Sequence, residues 1–178
     1  MARDFEDHCW RDIVSDEILK VYEPYHRDLY VGDRPALLAI DLYNLAYRGG
    51  AKEPHEIMAD FPSTCGRYAW EAIEPTEKLF AAARSAGIPV IYTTAPTISA
   101  VVATNRQSGL GSRDEDYEIY EAFAPEEGDI MIVKERASAF YGTPILPELT
   151  RLGISSLIVC GESTSGCVRA SVVDAYSA

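Results

Sequence analysis

The sequence predicts an α/β fold built on a mostly parallel sheet. Four short apolar runs, each about as long as a buried strand, occur at residues 36–40, 88–93, 130–133 and 157–160. Stretches with helical apolar spacing lie between or after them, at residues 71–86, 147–152 and 168–176. The first run is apolar at every position, which is typical of a strand covered on both faces of a parallel sheet. Alternating strands and helices favour this class and right-handed crossovers.

The composition indicates a globular protein with a substantial core. Of its 178 residues, 47% are hydrophobic and 25% are charged, and the net charge is −12. This charge argues against a nucleic-acid partner and against an anionic membrane partner. No apolar run approaches the length of a membrane span, so no membrane partner is expected.

The cysteines and histidines show no metal-binding spacing. The four cysteines have no CxxC pair, and they form no ligand pattern with the three histidines. The N-terminus has no apolar export signal. We therefore expect free thiols, a cytoplasmic location, and neither a metal nor another cofactor.

The chain divides into an N-terminal arm, residues 1–32, and a domain, residues 33–178. In the arm, Ile18, Leu19 and Tyr22 predict a short helix that Pro24 ends or bends. We expect the arm to pack on the domain or on another subunit.

Two long connections follow the first two strands. Residues 42–70 are predicted to be irregular, and residues 95–129 have weak periodicity. Within the second connection, the charged run at residues 113–118 is predicted to be a solvated face. A helix over residues 71–86 should end at Gly87, and a short helix over residues 147–152 should end at Gly153.

Three polar side chains follow three of the predicted strands. Asp41 ends the first strand, Lys134 ends the third, and a Gly/Ser/Thr loop leads from the fourth to Cys167. Because the carboxyl ends of parallel strands share one edge, these side chains can converge. The alternatives are that Asp41 begins a surface loop and that Cys167 fills a tight turn as a small buried residue.

The chemistry of these groups suggests cleavage of an amide. A cysteine near a helix N-terminus and beside Lys134 can have a lowered pKa and be held as a thiolate. Asp41 could take the thiol proton and pass it to a leaving nitrogen, while Cys167 attacks a carbonyl and forms an acyl-enzyme. The backbone N–H groups of Ser163 and Cys167 could hold the oxyanion.

Four segments, in this order, resemble the isochorismatase-like cysteine hydrolases. They are residues 36–41 (ALLAID), residues 87–93 (GIPVIYT), residues 133–134 (VK) with 138–143 (SAFYGT), and residues 160–170 (CGESTSGCVRA). The last segment looks most like the branch that contains N-carbamoylsarcosine amidase and maleamate amidohydrolase. Cys65, Gly66 and Trp70 look closer to the carbamoylsarcosine amidase side.

The resemblance implies a fold and a catalytic set. The fold would be a three-layer α/β/α sandwich with a Rossmann-like sheet, assembled as a homodimer or homotetramer. Asp41, Lys134 and Cys167 match the family's catalytic triad, and a cis peptide bond would fall between Glu162 and Ser163. The implied activity is hydrolysis of a small linear amide or N-carbamoyl acid with release of ammonia.

Three departures qualify the resemblance. Metal-binding members carry histidines soon after the first catalytic Asp, whereas here none occurs between Asp41 and His55, so no metal is expected. Members that cleave a vinyl ether lack the nucleophilic Cys, so Cys167 argues against that activity. Family members continue past the helix that follows the nucleophile, so we expect a domain truncated at its C-terminus, at Ala178.

Residues that flank the triad positions are candidates for binding a small-molecule substrate: Tyr43, Asn44, Phe140, Thr164 and Arg169. For each of them, a purely structural role is the competing interpretation. Arg169 could bind an acidic substrate or form an ion pair on its helix. The alternative function for the chain is that of a non-catalytic binding or assembly protein of the same family.

Overall fold

The computed structural model describes residues 13–25, 30–96 and 113–178. The chain divides into two compact units, Met1–Tyr30 and Val31–Ala178. In the first unit, helix α1 spans Asp16–Tyr22 and is followed by a 3-10 turn at Glu23–Tyr25 that contains Pro24. The short helix predicted for the arm is therefore present.

The second unit is built on a sheet of four parallel strands. The strands are β1 (Pro35–Ile40), β2 (Val90–Thr94), β3 (Ile130–Val133) and β4 (Ser156–Gly161). Their order is β3-β2-β1-β4, and all three pairs are parallel. Ile40 lies opposite Thr93 on one side and Gly161 on the other. The predicted α/β class and parallel sheet are confirmed.

Six helices belong to this unit in the described residues: α2 (Asn44–Tyr47), α3 (Pro54–Ile57), α4 (Arg67–Glu71), α5 (Ile73–Ser85), α6 (Ile145–Leu152) and α7 (Arg169–Ser177). Helices α5, α6 and α7 correspond to the three helical patterns of the sequence. Across the described ranges, no helix is both long and apolar enough to cross a membrane.

The connection over residues 42–70 is more ordered than predicted, because it contains α2, α3 and α4. Each has four or five residues, too short for a periodic apolar pattern to develop. Helix α3 is instead defined by its start, where Glu53 and Glu56 form a capping box and Pro54 occupies the first turn.

Alternate residues of the strands face two separate cores. Leu37 and Ala39 of β1 belong to the first core, which includes Phe80 and Ala83 of α5. Ala36, Leu38 and Ile40 belong to the second core, which includes Ile145 and Leu149 of α6. Both faces of the sheet are therefore covered by helices, and β1 is buried over Ala36–Ile40. The edge formed by the carboxyl ends of the strands is where polar side chains can come together.

The prediction of a solvated face at residues 113–118 is wrong at Asp116. Its side chain is fully buried and forms an ion pair with Arg48, which follows α2. The backbone N–H of Arg113 also donates to Asp116. A charge run is read as solvated because isolated charges resist burial, but a paired carboxylate can be buried. The ion pair of Asp116 with Arg48 thereby links residues 113–118 to the connection that follows β1.

Candidate active site

Asp41 is held at the end of β1 by its backbone and by two side chains. It has a φ of +55°, in the left-handed region that few non-glycine residues adopt. The hydroxyl of Thr93, at the end of β2, donates to Asp41 Oδ1 at 2.8 Å. Lys134 Nζ donates to Asp41 Oδ2 at 2.7 Å. Both carboxylate oxygens therefore have a partner at the end of another strand, Thr93 of the adjacent β2 and Lys134 after β3.

Lys134 connects Asp41 to Cys167. Its ammonium group donates to the carbonyl oxygen of Arg136 at 3.2 Å and lies 3.4 Å from Cys167 Sγ. Lys134 is 5% exposed and Asp41 is 2% exposed, so this is a buried ion pair. The predicted convergence of the three side chains is observed, because the ends of β1, β3 and the loop after β4 meet at one edge.

Cys167 lies in a turn, Thr164–Val168, that is kinked at Gly166 and immediately precedes α7. The hydroxyl of Ser171 donates to the carbonyl oxygen of Cys167 at 2.7 Å and accepts from the N–H of Ala139 at 2.9 Å. Ser171 is the buried residue of α7, and it links the turn that contains Cys167 to the loop after Lys134. The thiol is consequently held against the ammonium group by a packed helix.

Gly161 ends β4 and allows the chain to pass close to β1 as it enters the loop that leads to Cys167. Its φ is +122°, and a Cβ at this position would overlap the carbonyl oxygen of Ile40. Only glycine fits there without displacing backbone. The close approach lets the N–H of Glu162 donate to the same carbonyl oxygen at 2.8 Å.

The electrostatic prediction for Cys167 is wrong in its direction. Burial raises the pKa of the thiol, and the negative charge of Asp41 raises it further, whereas Lys134 lowers it. The burial and the carboxylate outweigh the ammonium, whose charge is already compensated by Asp41 at 2.7 Å. These effects favour the thiol over the thiolate at this position.

The loop between β4 and Cys167 contains the implied cis peptide bond, between Glu162 and Ser163. The carbonyl oxygen of Ser163 accepts hydrogen bonds from the N–H groups of Gly166 at 3.0 Å and Val168 at 3.2 Å. These two hydrogen bonds close a turn over residues 163–168, which contains Cys167. The oxyanion-binding role of the Ser163 and Cys167 N–H groups stays a prediction.

Two of the candidate substrate-binding residues are aromatic. Tyr43 follows Asp41 by two residues, and burial raises the pKa of its hydroxyl, with a further rise from the charge of Asp41. Its ring meets Tyr117 edge-on, with 5.4 Å between the centroids. Phe140 packs against the second core together with Cys167. These two aromatic residues are suited to form apolar walls.

The other three candidates have different surroundings. The side-chain amide of Asn44 donates to the carbonyl oxygen of Glu115 at 2.8 Å, so one of its donors has a structural use. Thr164 and Arg169 are exposed. Arg169 takes part in none of the ion pairs found among the described residues, so its predicted helix-face pair is not observed there. Their roles in binding substrate stay predictions.

Three residues of this edge were missed by sequence reasoning: Thr93, Glu162 and Ser171. Thr93 carried a signal, because it is a polar residue at the end of an apolar strand, as Asp41 and Lys134 are. Ser171 carried none, because a serine inside a helix more often faces solvent. Glu162 looked like part of a polar loop, although its carboxyl group points inward.

No group of three or more histidine, cysteine or acidic side chains is placed to hold a metal ion, over residues 13–25, 30–96 and 113–178. The buried ammonium of Lys134 occupies the position beside Asp41 that a cation would take. The site as described is therefore made from a carboxylate, an ammonium and a thiol.

Comparisons with known proteins identify the family. The chain is 34% identical to N-carbamoylsarcosine amidase of an Arthrobacter species over 171 residues, which cover 86% of this chain and 58% of that protein. It is 47% identical to maleamate amidohydrolase of Pseudomonas putida over 55 residues, or 31% of this chain and 26% of that protein. The chain thus spans little more than half of the first relative and about a quarter of the second.

Solved structures agree with this assignment. N-carbamoylsarcosine amidase from Thermoplasma acidophilum has a TM-score of 0.58 at 26% identity, covering 80% of this chain and 75% of that one. An isochorismatase family protein from Desulfovibrio vulgaris has a TM-score of 0.69 at 25% identity, covering 82% and 76%. The isochorismatase domain family matches residues 35–178. The chain therefore belongs to the isochorismatase domain family.

Proposed function

We propose that this chain carries the catalytic centre of a cysteine-dependent amidohydrolase. The substrate would be a small linear amide or an N-carbamoyl acid, and the reaction would cleave its C–N bond and release ammonia. The observation that carries the proposal is the buried contact of Lys134 with both Asp41, at 2.7 Å, and Cys167, at 3.4 Å. The names of the two amidase relatives support the substrate class.

Acylation begins with the thiol. Asp41 takes the proton from Cys167 Sγ as the sulfur attacks the substrate carbonyl carbon, and a C–S bond forms. The carbonyl oxygen becomes an oxyanion, which accepts hydrogen bonds from the N–H groups of Ser163 and Cys167. Asp41 then gives its proton to the leaving nitrogen, the C–N bond breaks, and ammonia leaves a thioester on Cys167.

Deacylation returns the enzyme to its starting state. Asp41 takes a proton from water, whose oxygen attacks the thioester carbonyl carbon. The C–S bond breaks, the acid product leaves, and the proton returns to Cys167. Each half of the cycle thus uses one proton shuttled by the same carboxylate.

Lys134 supports this proton transfer through its contacts with Asp41 and Cys167. Its ammonium compensates the charge of Asp41, which stabilises a carboxylate in a buried position. It also lowers the pKa of Cys167 against the stronger effects of burial and Asp41. Because these stronger effects raise the thiol pKa, proton transfer to Asp41 accompanies the attack rather than preceding it.

The proposal extends to the assembly and location of the protein. Family resemblance supports a homodimer or homotetramer, and the absence of CxxC pairs is compatible with free thiols in the cytoplasm. A small-molecule amide is the proposed partner, and neither nucleic acid nor a membrane is proposed.

Ammonia release from a panel of N-carbamoyl acids and linear amides tests the proposal. Cys167→Ser should lower kcat by about 10⁴-fold or more, as loss of a nucleophile does in hydrolases that form an acyl-enzyme. Cys160→Ala is the matched control, since burial raises the pKa of that thiol to about 12 and it packs against the first core. It should retain kcat within about threefold. Equal activity of Cys167→Ser and wild type would overturn the mechanism, and no turnover by wild type would favour the non-catalytic binding or assembly function.

A further inference from the structure

Ser171 lies in α7 about one helical turn after Cys167, and it is fully buried. Its hydroxyl donates to the carbonyl oxygen of Cys167 at 2.7 Å, a common bond because a serine inside a helix often reaches the carbonyl oxygen four residues earlier. The same hydroxyl accepts from the N–H of Ala139 at 2.9 Å. This second bond is not local, since Ala139 lies in the loop between β3 and α6. One hydroxyl therefore joins the segment of the nucleophile to the segment that follows Lys134.

The loop that Ser171 contacts is itself attached to the ammonium group. The carbonyl oxygen of Arg136 accepts from Lys134 Nζ at 3.2 Å. Ala139 is fully buried in the second core, and its carbonyl oxygen accepts a hydrogen bond from the hydroxyl of Thr143. The loop over residues 136–143 is thus held both at the lysine and in the core.

These contacts form a closed hydrogen-bond ring. One side is the contact of 3.4 Å between Lys134 Nζ and Cys167 Sγ. The other side runs from the carbonyl oxygen of Cys167 through the Ser171 hydroxyl to the N–H of Ala139. The loop then leads back to Arg136, whose carbonyl oxygen accepts from the ammonium. Because sulfur is a weak acceptor, the thiol contact alone would hold the two segments loosely.

The burial of Ser171 strengthens its part of this ring. Both of its hydrogen bonds are shielded from water, and a hydrogen bond in a medium of low dielectric is electrostatically stronger than one in water. An alanine would suit the helix interior better than a serine, but it would leave the buried N–H of Ala139 without this acceptor. The hydroxyl therefore has a defined use that packing does not replace.

We propose that Ser171 is a positioning residue, whose buried hydroxyl closes this ring and thereby fixes the place of the Cys167 thiol relative to Lys134. This inference rests on the proposed function. Ser171 acts through the backbone of Cys167 and through the loop after Lys134, because its two partners are a carbonyl oxygen and an N–H group.

The proposal predicts a split between chemistry and binding. Ser171→Ala keeps the helix and removes both hydrogen bonds, so the sulfur is less well placed to attack the substrate carbonyl carbon. Since a misplacement of about 1 Å can cost about 10²-fold, kcat should fall by about ten- to hundredfold while KM stays within about threefold. Ser171→Thr keeps a hydroxyl that can bond the same carbonyl oxygen in a helix, and its kcat should stay within about fivefold of wild type.

Two other serines provide matched controls. Ser177 is exposed, and its hydroxyl donates to the carbonyl oxygen of Val173 at 2.9 Å, which is the same four-residue spacing in the same helix. Ser177→Ala should therefore keep kcat and KM within about threefold of wild type. Ser138 accepts from the N–H of Phe140 at 3.1 Å, a bond inside the loop. Ser138→Ala thus loosens the loop without cutting its link to α7.

The experiment combines kinetics with amide hydrogen exchange. Values of kcat and KM are measured for wild type, Ser171→Ala, Ser171→Thr and Ser177→Ala on the amide that wild type hydrolyses fastest. Exchange, which needs no activity, is followed over residues 136–143 and 163–168 in all variants. Ser171→Ala should raise exchange about tenfold in both segments, Ser138→Ala in residues 136–143 alone, and Ser177→Ala in neither. The buried strand β1 is the internal reference and should exchange alike in every variant.

Each outcome decides for or against the ring. An unchanged kcat in Ser171→Ala overturns the proposal, as does a rise of exchange confined to one segment. A rise in KM at constant kcat would assign Ser171 to substrate binding and also overturn it. A kcat of Ser171→Thr no higher than that of Ser171→Ala would show that the hydroxyl is not the cause. If wild type hydrolyses no amide, the proposed function fails, and the exchange result still decides whether Ser171 holds the two segments together.

Discussion

Two buried carboxyl groups lie at the same edge of the sheet, and their surroundings differ. Asp41 has one oxygen on the ammonium of Lys134 at 2.7 Å and the other on the hydroxyl of Thr93 at 2.8 Å. Glu162 Oε2 is buried and has no hydrogen-bond partner among the described residues. Asp41 is thus paired with a cation, whereas none of the ion pairs found in the described part of the chain includes Glu162.

The difference shows how charge compensation separates the roles of two groups of the same chemistry. A buried carboxylate paired with a cation can exchange protons without leaving an isolated charge. A buried carboxyl group without a cation beside it has a raised pKa and a cost in stability, and burial is the largest cause of the rise at Glu162. The following four substitutions test this contrast.

The largest effect is expected from Asp41→Asn, which removes the compensated carboxylate but keeps its shape. Asparagine tolerates the left-handed φ of +55° found here, so the backbone should be preserved. Activity should fall by about 10²–10⁴-fold, because the amide cannot accept the thiol proton. Since the charge of Asp41 raises the pKa of Cys167, the variant thiol should be alkylated faster by iodoacetamide at pH 7.5.

If the thiol of Asp41→Asn is more reactive while the enzyme is less active, then Asp41 acts as a base and does not stabilise the thiolate. The exposed Asp60→Asn serves as the control and should match wild type in both assays. If alkylation slowed in Asp41→Asn, the carboxylate would be stabilising the thiolate, and the direction argued for Cys167 would be incorrect.

Lys134→Met should have the largest effect on stability, because it leaves Asp41 buried without a cation. Breaking a buried pair in this way costs about 3–5 kcal/mol of unfolding free energy, measured by urea denaturation. The exposed Lys78→Met, which breaks the surface pair with Glu74, should cost less than about 1 kcal/mol. In the Asp41→Asn background the loss at position 134 should shrink, and equal losses in both backgrounds would show that the ion pair is not the cause.

Thr93→Val tests the second partner of Asp41 with a smaller change. The loss of a hydrogen bond to a charged group costs about 1.5–3 kcal/mol, so kcat should fall by about ten- to hundredfold. Thr150→Val is the control, because that exposed hydroxyl donates to the carbonyl oxygen of Leu146 in its own helix. Wild-type kinetics for Thr93→Val would mean that Lys134 alone orients the carboxylate.

The smallest effect is expected from Glu162→Gln on stability, and it should depend on pH. Because the pKa of Glu162 is raised in the folded chain, its contribution is most favourable below the unfolded pKa and is lost as pH rises through the folded pKa. The amide of the Glu162→Gln variant does not titrate, so this variant should gain on wild type as pH rises, by on the order of 1 kcal/mol at pH 8. Urea midpoints at pH 4.5 and pH 8 measure this, and a gain that is larger at pH 4.5 would contradict the raised pKa.

Much of the fold could be predicted because its strands are locally distinct. The run at residues 36–40 is apolar at every position, and it forms the central strand β1, buried on both faces. The short helices α2, α3 and α4 could not be predicted in the same way. They have too few turns for periodicity, and contacts such as the Arg48–Asp116 pair hold their surroundings in place.

The meeting of Asp41, Lys134 and Cys167 could be predicted because each of them directly follows a strand or the loop that a strand leads into. A parallel sheet brings such positions to one edge whatever their separation in sequence. The burial of Asp116 could not be predicted, because it depends on Arg48, a partner that is distant in the chain. The burial of Glu162 Oε2 could not be predicted either, because it arises only when the chain has folded around this loop. Ser171 is similar, since its role rests on Ala139.

The sequence by itself determined the four strands and the helices α5, α6 and α7 in their order along the chain, the family of the chain and the three residues that meet at the sheet edge. These follow from apolar periodicity and from short motifs, which are local properties. Only the tertiary structure decided the protonation balance of Cys167 and the contrast between Asp41 and Glu162. A pKa depends on burial and on the distances between charges, and both are fixed only when the strands have come together.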